Sequence, residues 1–322
     1  GDLFFQKATK MHSLPKPIQG IIPPMVTPLV DRDTLDVAGL ERLVDRIVSA
    51  GVSGLFVLGT TGEAPSLSYR LRRELIGRTC ELVDDRVPVL VGVTDTSFVE
   101  SVNLAEEAAD SGADAVVLSA PYYFPAGQDE LLEYVEHIVG ELPLPVFLYN
   151  MPSHTKVTFE PETVRRAIEI PNVAGLKDSS ANMIYFHHVR RIVSRRPDFS
   201  LLIGPEELMA QATLAGGHGG VSGGANLHPR LYVELYQAAV RRDLDRVEEL
   251  HGQVMEIVST IYRVGRHGSS IIKGIKCALS VLGICDDFMA EPFHRFRPEE
   301  RREIERHLKD LGITAEDSAV VG

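Results

Sequence analysis

A lysine ends an apolar run that has the composition of a buried strand, Val173–Lys177. The chain contains only eight lysines. Period-two alternation places Lys177 on the same face of the strand as Val173 and Gly175. A lysine in this position either pairs with a neighbouring acid or supplies an uncharged amine, which can attack a carbonyl carbon and form an imine. Position alone does not separate these two interpretations.

A tyrosine ends the preceding apolar run, Pro145–Tyr149, and is followed by Asn150-Met151-Pro152. Because consecutive strands usually lie side by side, the phenol of Tyr149 is expected near Lys177. A lone core tyrosine usually bonds a carbonyl. Beside a strand-end lysine, the pattern also favours a role in moving protons to and from the reacting atoms.

A glycine-flanked turn, Gly59-Thr60-Thr61-Gly62-Glu63, follows the second apolar run. Exposed backbone N–H groups and hydroxyls in such a turn can hold a carboxylate. Most turns of this kind only reverse the chain, so the motif by itself is a weak indication of anion binding.

Two acids follow the seventh apolar run, in Gly204-Pro205-Glu206-Glu207. They can contact the hydroxyls of a polyol, or they can begin a helix near its positive dipole end. Spacing alone favours the helix start.

The elements that position these residues alternate between β-branched apolar runs and amphipathic stretches. Eight parallel strands with intervening helices most naturally close into a (β/α)₈ TIM barrel, an α/β fold whose active sites lie at the strand C-termini. An open doubly wound sheet is the alternative. The predicted strands are Gly20–Val26, Gly54–Leu58, Val87–Val93, Ala115–Ser119, Pro145–Tyr149, Val173–Lys177, Ser200–Ile203 and Gly219–Val221.

Helices are predicted between the strands, several of them capped by Ser68, Ser97 or Asp129. After residue 228 only helices are predicted. Residues 1–15 are interpreted as disordered or foreign to the natural chain, residues 16–228 as the barrel core, and residues 229–322 as the last barrel helix with a C-terminal helical extension. The predicted helices are Asp36–Ala50, Ser68–Leu82, Ser97–Ala109, Asp129–Gly140, Pro161–Ala167, Met183–Val193, Pro229–Val240, Leu244–Val264, Ser270–Val281 and Pro298–Leu311.

Composition excludes several classes of partner. The net charge of −12 disfavours nucleic acid and anionic membrane surfaces, which both require a basic face. The three cysteines form no disulfide or zinc pattern, which indicates a reducing cytoplasm and no metal site. No apolar run has the length of a membrane span. A small-molecule or protein partner is therefore expected.

Together these motifs resemble the dihydrodipicolinate synthase/N-acetylneuraminate lyase family, from about Ile21 to about Leu311. The segments that carry the resemblance are Gly59–Glu63, Tyr149–Pro152, Gly175–Ser180 and Gly216–Ser222. Members of the family are Schiff-base (β/α)₈ lyases that act on pyruvate or related 2-oxo acids and require no cofactor.

The resemblance implies a role for each matched position. Lys177 forms the imine, Tyr149 shuttles protons, and Thr60 with Tyr123 resembles the proton-relay pair in which the tyrosine comes from a partner subunit. Val221 supplies a main-chain carbonyl, and Gly204 lines the pocket. The substrate-binding set that follows from these motifs is Thr61, Gly62, Glu63, His154, Gly204, Glu206, Glu207 and Val221.

The chain also departs from the family pattern. His154 stands where synthases of the lysine precursor carry an arginine, and Lys156 stands in place of a glycine. Tyr69 and Thr96 replace a histidine and an asparagine of the bacterial feedback site, and Gly223 replaces a serine of the sialic acid lyases.

Three functional hypotheses follow. The first is aldol cleavage or condensation, or dehydration, of a hydroxylated 2-oxo (sugar) acid. The second is dihydrodipicolinate synthase activity. The third is a non-catalytic sensor of a 2-oxo acid, against which the retained lysine and tyrosine argue. The aromatic segment from Tyr122 to Pro125 further predicts a homo-oligomer, a tetramer or a dimer.

Overall fold

Eight short strands form one parallel sheet in the computed structural model, which describes residues 13–316. The strands are β1 (Gly20–Ile21), β4 (Leu55–Val57), β5 (Val89–Gly92), β6 (Ala115–Ser119), β7 (Val146–Asn150), β8 (Val173–Asp178), β9 (Ser200–Ile203) and β10 (Gly219–Gly220). Their order is β1-β10-β9-β8-β7-β6-β5-β4. A parallel bridge between Pro24 and Phe56 joins the segment after β1 to β4. The fold is therefore of the TIM-barrel type.

Most strands form where apolar residues, many of them β-branched, are buried on both faces, which is the pattern of a parallel sheet covered by helices. Every residue of β6 and β7 is buried. Side chains facing one side of the sheet, including Phe56, Leu90 and Phe147, form an inner cluster. The opposite face packs against the helices in a second, larger cluster.

Twelve helices are described in residues 13–316. They are α1 (Val37–Val48), α2 (Tyr69–Val83), α3 (Phe98–Ser111), α4 (Gln128–Glu141), α5 (Pro152–Thr155), α6 (Pro161–Ala167), α7 (Met183–Val193), α8 (Met209–Leu214), α9 (Pro229–Arg241), α10 (Leu244–Ser259), α11 (Ser270–Val281) and α12 (Pro298–Leu311). None of them is long and apolar enough to span a bilayer.

The predicted caps are correct for two helices and wrong for one. Ser68 accepts the N–H of Leu71 at 3.2 Å, and Ser97 accepts that of Glu100 at 3.3 Å. Helix α4 begins earlier than predicted, at Gln128, so Asp129 lies inside its first turn. Its N-terminus is closed by Glu130, whose carboxylate accepts the backbone N–H of residue 127 at 2.9 Å.

Four elements differ from the sequence-based expectation, and one of them is the one-turn helix α5 (Pro152–Thr155), which was not predicted. A hairpin of β2 (Leu29–Asp31) and β3 (Thr34–Leu35) and the short helix α8 lack strong periodicity and were not predicted. The helix predicted over Leu244–Val264 ends at Ser259. There the Thr260 hydroxyl donates to the Glu256 carbonyl at 2.6 Å, and a separate 3₁₀ turn follows.

The folded part begins before the predicted boundary at residue 16. Leu14 is buried and belongs to the inner cluster, so this part of the expected N-terminal segment packs with the sheet. Residues 1–12 and 317–322 lie outside the described residues.

Candidate active site

Lys177 and Tyr149 face each other across neighbouring strands. They are register partners in β8 and β7, and both are buried. Lys177 Nζ lies 4.0 Å from the centre of the Tyr149 ring and 5.2 Å from that of Phe56. Within residues 13–316, no carboxylate oxygen lies within the 4.0 Å of Nζ that an ion pair requires. The interpretation of Lys177 as an ion-pair partner therefore has no support in this part of the chain.

The phenol of Tyr149 is polarised by its surroundings. Its hydroxyl lies 3.2 Å from Thr60 Oγ1. Burial raises the pKa of Tyr149, but the charge of Lys177 and hydrogen bonds with Thr60, Ser179 and Lys177 outweigh burial and lower the pKa overall. The phenol therefore releases its proton more readily than an ordinary tyrosine, which suits a group that transfers protons.

A buried network joins the ends of the two strands. Asn150 Nδ2 donates to Asp178 Oδ1 at 3.0 Å, and Asn150 Oδ1 accepts the N–H of Phe159 at 3.0 Å. Asp178 also accepts the N–H of Ser180 at 3.0 Å. Burial raises the pKa of Asp178, although these donors act in the opposite direction. The network fixes the relative position of β7 and β8, and with it the separation of Lys177 and Tyr149.

A cavity of about 410 Å³ opens beside Tyr149. Its size falls in the range of small-molecule sites. Four predicted site residues line it: Thr60, Glu63, Tyr149 and His154. Lys177 does not line it directly but lies against the rings of Tyr149 and Phe56, which do.

A second cavity, of about 310 Å³, lies at the N-terminal ends of the strands, opposite the first. Its lining residues Gln19 and His218 directly precede β1 and β10. None of the predicted catalytic residues lines it. In parallel α/β sheets chemistry occurs at the strand C-termini, so the cavity beside Tyr149 is the candidate active site.

Glu63 holds its own loop rather than offering a free carboxylate. Its Oε2 accepts a hydrogen bond from the fully buried Lys276 at 2.8 Å, and its Oε1 accepts the N–H of Ala290 at 3.0 Å. Its backbone is left-handed, with φ of 58°. Both oxygens of Glu63 thus have partners within the chain, and its contact with substrate stays a prediction, although it lines the cavity.

Glu206 is also a structural group. It is buried and accepts hydrogen bonds from Tyr232 Oη at 2.6 Å, Tyr262 Oη at 3.0 Å and the N–H of Gly224 at 2.9 Å. Burial raises its pKa even though these donors favour the carboxylate. Neither Glu206 nor Glu207 lines the cavity, so the expected contact with a polyol is corrected for both.

His154 faces the cavity next to a lysine that is turned away. Burial, followed by the charges of Lys156 and Lys177, lowers the pKa of His154, so its neutral form predominates at pH 7. His154 Nδ1 lies 2.9 Å from Ser153 Oγ. Lys156 Nζ donates to the carbonyl of Ser153 at 2.7 Å.

The other predicted residues lie around this site. Gly62 accepts a hydrogen bond from Thr27 Oγ1 at 2.7 Å, and Thr61 adjoins it on the same turn. Val221 belongs to the inner cluster beside the strand ends. Tyr123 is 85% exposed with φ of 87° and does not line the cavity of its own chain.

The sequence analysis missed three hydroxyl residues at strand ends, namely Thr94, Ser119 and Ser179. Ser119 is the register partner of Tyr149, and its N–H donates to Thr94 Oγ1 at 2.9 Å. Ser179 follows β8, and a Cβ atom at Gly204 would lie 1.9 Å from its Oγ. Gly204 thus leaves room for this serine. The position of all three at or just after a strand C-terminus was the available signal.

The described residues contain no group of three or more His, Cys, Asp or Glu side chains placed to hold a metal ion.

The sheet is TIM-barrel-like, and its strand ends carry a buried lysine and a polarised tyrosine beside a cavity. These features place the protein in the class of α/β-barrel enzymes. Residues 17–311 match the model of the dihydrodipicolinate synthetase family. The chain therefore belongs to this family, and it is a lyase.

Individual relatives bear different names. A dihydrodipicolinate synthase structure from Bacteroides thetaiotaomicron is 58% identical, with a TM-score of 0.90, over 91% of this chain and 99% of that one. The 4-hydroxy-tetrahydrodipicolinate synthase of Methanopyrus kandleri is 32% identical over 93% of this chain and 98% of its own. An Escherichia coli protein, named a probable 2-dehydro-3-deoxy-D-pentonate aldolase, is 35% identical over 80% of this chain and 86% of its own.

Proposed function

We propose that Lys177 forms a Schiff base with pyruvate or a related 2-oxo acid, and that the enzyme cleaves, condenses or dehydrates a hydroxylated 2-oxo acid. The observation that carries this proposal is the buried Lys177 Nζ, without a carboxylate partner in residues 13–316 and 4.0 Å from the ring centre of Tyr149. A buried amine that no carboxylate engages is available to attack a carbonyl carbon.

The proposed reaction involves no net oxidation or reduction, so it needs no redox partner. The Lys177 amine adds to C2 of the 2-oxo acid, and loss of water gives a protonated imine. The imine accepts the electron pair released when a proton leaves C3 or when the C3–C4 bond breaks, which gives an enamine. In condensation, C3 of the enamine attacks an aldehyde carbon, and the aldehyde oxygen takes up a proton. Hydrolysis of the imine then frees the product and the lysine.

Residues around the pair supply protons and binding groups in this proposal. Tyr149 transfers the protons, and Thr60 relays them to Tyr123 of a partner subunit. Thr61 and the backbone N–H groups near Gly62 hold the substrate carboxylate, Val221 places its carbonyl near the imine, and Gly204 leaves space beside it.

Reductive trapping tests the mechanism. Incubation with pyruvate and borohydride should add one reduced pyruvyl group per chain, and peptide mapping should locate it on Lys177. Lys309→Met, which removes an exposed lysine of α12, is the control and should still be labelled. Labelling at another residue, or no labelling, would refute the Schiff-base mechanism. Trapping without any turnover of added aldehydes would indicate a 2-oxo-acid sensor.

The second candidate is 4-hydroxy-tetrahydrodipicolinate synthase, and the 58% identity to a structure named as a dihydrodipicolinate synthase favours it. The neutral His154 argues against it, because an arginine grips a carboxylate with a permanent, two-pronged charge that histidine lacks. Comparing kcat/KM for aspartate semialdehyde with that for other aldehydes distinguishes the two candidates.

We also propose a homo-oligomer, a tetramer or a dimer, in the cytoplasm, with residues 229–316 as the last helix of a closed (β/α)₈ barrel and a C-terminal helical extension. Tyr123 and Phe124 are 85% and 81% exposed and stack edge to face, which leaves an apolar patch for a second copy to cover. Light scattering at micromolar concentration should report the oligomer, and a monomer would remove the proposed role of Tyr123.

A further inference from the structure

The wall of the active-site cavity contributed by the C-terminal helices is mostly apolar, with Ser269 at the start of α11 as its polar side chain. Ile272 of α11 lines it together with Met289 and Phe293 from the segment between α11 and α12. Leu58 and Met151, from the barrel side, extend this wall. Phe293 is 48% exposed, so a large part of its ring is free to contact another molecule.

Three of the four titratable side chains that line the cavity, Glu63, His154 and Tyr122, present no unpaired charge to it, and the fourth, Tyr149, has a lowered pKa. Glu63 is neutralised by Lys276 at 2.8 Å, and the lowered pKa of His154 favours its neutral form. Burial raises the pKa of Tyr122, so its phenol keeps its proton. Within residues 13–316, no arginine or lysine lines the cavity.

Several hydroxyl groups in the lining are already bonded within the chain. Thr94 Oγ1 accepts the N–H of Ser119 at 2.9 Å, and Ser119 Oγ donates to the carbonyl of Ala120 at 3.1 Å. Thr155 Oγ1 donates to the carbonyl of Val157 at 3.0 Å. These three hydroxyls are less available to a polyhydroxylated substrate, and the apolar wall offers its hydroxyls no partner; buried polar groups without partners weaken binding.

We infer that the substrates are 4-hydroxy-2-oxo acids whose C4 carries an uncharged apolar substituent, so that the aldehyde released or consumed is aliphatic or aromatic. This inference rests on the proposed function, because the oxo acid must be tethered at Lys177 for its C4 substituent to reach Ile272, Met289 and Phe293. In the condensation, C3 of the enamine bonds to the aldehyde carbon and the aldehyde oxygen becomes the C4 hydroxyl. The apolar substituent leaves water for the wall, which is the main favourable contribution to its binding.

One cation lies near this wall without lining it. Lys273 Nζ is 5.8 Å from the centre of the Phe293 ring. To pair with the carboxylate of an aldehyde in the cavity, the Lys273 ammonium group would have to move past the Phe293 ring. The test therefore includes an aldehyde with a terminal carboxylate.

The test compares aldehydes at saturating pyruvate. Initial rates of pyruvate consumption would be measured with butanal, hexanal and benzaldehyde, with D-glyceraldehyde, and with succinic semialdehyde. Hexanal should exceed glyceraldehyde and succinic semialdehyde in kcat/KM by at least about tenfold. Each added methylene group should raise kcat/KM about fourfold between butanal and hexanal.

Matched variants separate the wall from the reacting centre. Ile272→Thr and Phe293→Ser should each lower kcat/KM for hexanal at least about tenfold. Both should leave borohydride trapping of pyruvate on Lys177 at the wild-type level. Ile184→Thr makes the same chemical change at a side chain that is 72% exposed and outside the cavity, and it should have no effect.

The outcomes separate a failure of the inferred substrate preference from a failure of the proposed Schiff-base function. Trapping on Lys177 with a preference for glyceraldehyde or succinic semialdehyde would overturn the inference and leave the proposed function standing. Equal effects of Ile184→Thr and Ile272→Thr would also overturn it. No trapping on Lys177 would refute the proposed function and the inference with it.

Discussion

Two buried lysines of this chain have opposite surroundings. Lys276 is completely buried and bonds Glu63 at 2.8 Å, whereas Lys177 lies near the rings of Tyr149 and Phe56 with no carboxylate at ion-pair distance in residues 13–316. A buried pair satisfies its charges and holds structure in place, while an unpaired buried amine is available for chemistry. The contrast teaches that burial alone does not mark a catalytic lysine, and that the identity of its neighbours does.

The largest effect should come from Lys177→Met. Loss of the nucleophile should lower kcat/KM by at least about 10⁴, because removing a covalent catalyst in other enzymes costs up to about 10⁶. The free energy of unfolding should fall little or rise, since an apolar side chain fits the apolar site. Steady-state kinetics and urea denaturation measure the two quantities. Activity of Lys177→Met within tenfold of wild type would show that Lys177 is not the nucleophile and does not differ from Lys276 in this respect.

Tyr149→Phe should lower kcat by about 10²–10⁴, the usual contribution of a positioned acid–base group. The ring remains to pack against Lys177, so folding and reductive trapping should survive. Tyr185→Phe is a matched control, because the Tyr185 hydroxyl donates to the Phe159 carbonyl at 2.7 Å away from the cavity. A fall in kcat of less than tenfold for Tyr149→Phe would make Tyr149 a core residue.

Lys276→Met should destabilise the protein by about 3–5 kcal/mol, because it leaves the Glu63 carboxylate buried without its counter-ion. Glu63→Leu should have a similar effect, and the double variant should be more stable than either single variant because no uncompensated charge remains. Lys309→Met, at an exposed position on α12, is the control. Urea denaturation of all four proteins measures the coupling. Additive effects of the two single changes would show that the pair contributes nothing as a pair.

His154→Arg would place a permanent cation in a cavity whose lining, within residues 13–316, contains no arginine or lysine. If a carboxylate of the second substrate is gripped there, condensation with aspartate semialdehyde should improve by roughly ten- to 150-fold, equivalent to about 1.5–3 kcal/mol for a charged hydrogen bond. The comparison is kcat/KM of wild type and variant with that aldehyde. Efficient use of aspartate semialdehyde by the wild type, with no gain in the variant, would refute the interpretation of His154.

The smallest effect is a shift in the titration of Tyr149. A nearby positive charge favours the phenolate and lowers the pKa, so removing that charge in Lys177→Met should raise the pKa of Tyr149. Absorbance at the tyrosinate band, measured against pH for Lys177→Met and for Lys177→Met/Tyr149→Phe, isolates this residue. An unchanged titration would show that Lys177 exerts no charge on the phenol.

The main features that position the site were predictable because they depend on local pattern. Apolar runs located the eight strands, and period-two alternation with strand adjacency brought Tyr149 beside Lys177. The helix caps at Ser68 and Ser97 are also local. Asp129 was misassigned because a cap and a first-turn acid have nearly the same sequence signature.

The roles of the acids were not predictable from local pattern. Lys276 lies 213 residues beyond Glu63 in the chain, and Tyr262 lies 56 residues beyond Glu206. Nothing in the spacing around either acid indicates that its oxygens are already occupied. Only the three-dimensional arrangement shows that the loop after β4 and the turn after β9 are held by residues from the C-terminal helices.

The Glu63–Lys276 pair also bears on the synthesis of the protein. The ribosome makes the chain from the N-terminus, so the Gly59–Glu63 turn emerges long before the lysine that neutralises it. Until α11 has been translated, Glu63 has no counter-ion and is best hydrated, which keeps the turn from settling into the interior. An unfinished chain would therefore contain Lys177 and Tyr149 before the Gly59–Glu63 turn, whose Thr60 lies 3.2 Å from the Tyr149 hydroxyl, had gained its counter-ion. We expect the chain to become active only after α11 has been made.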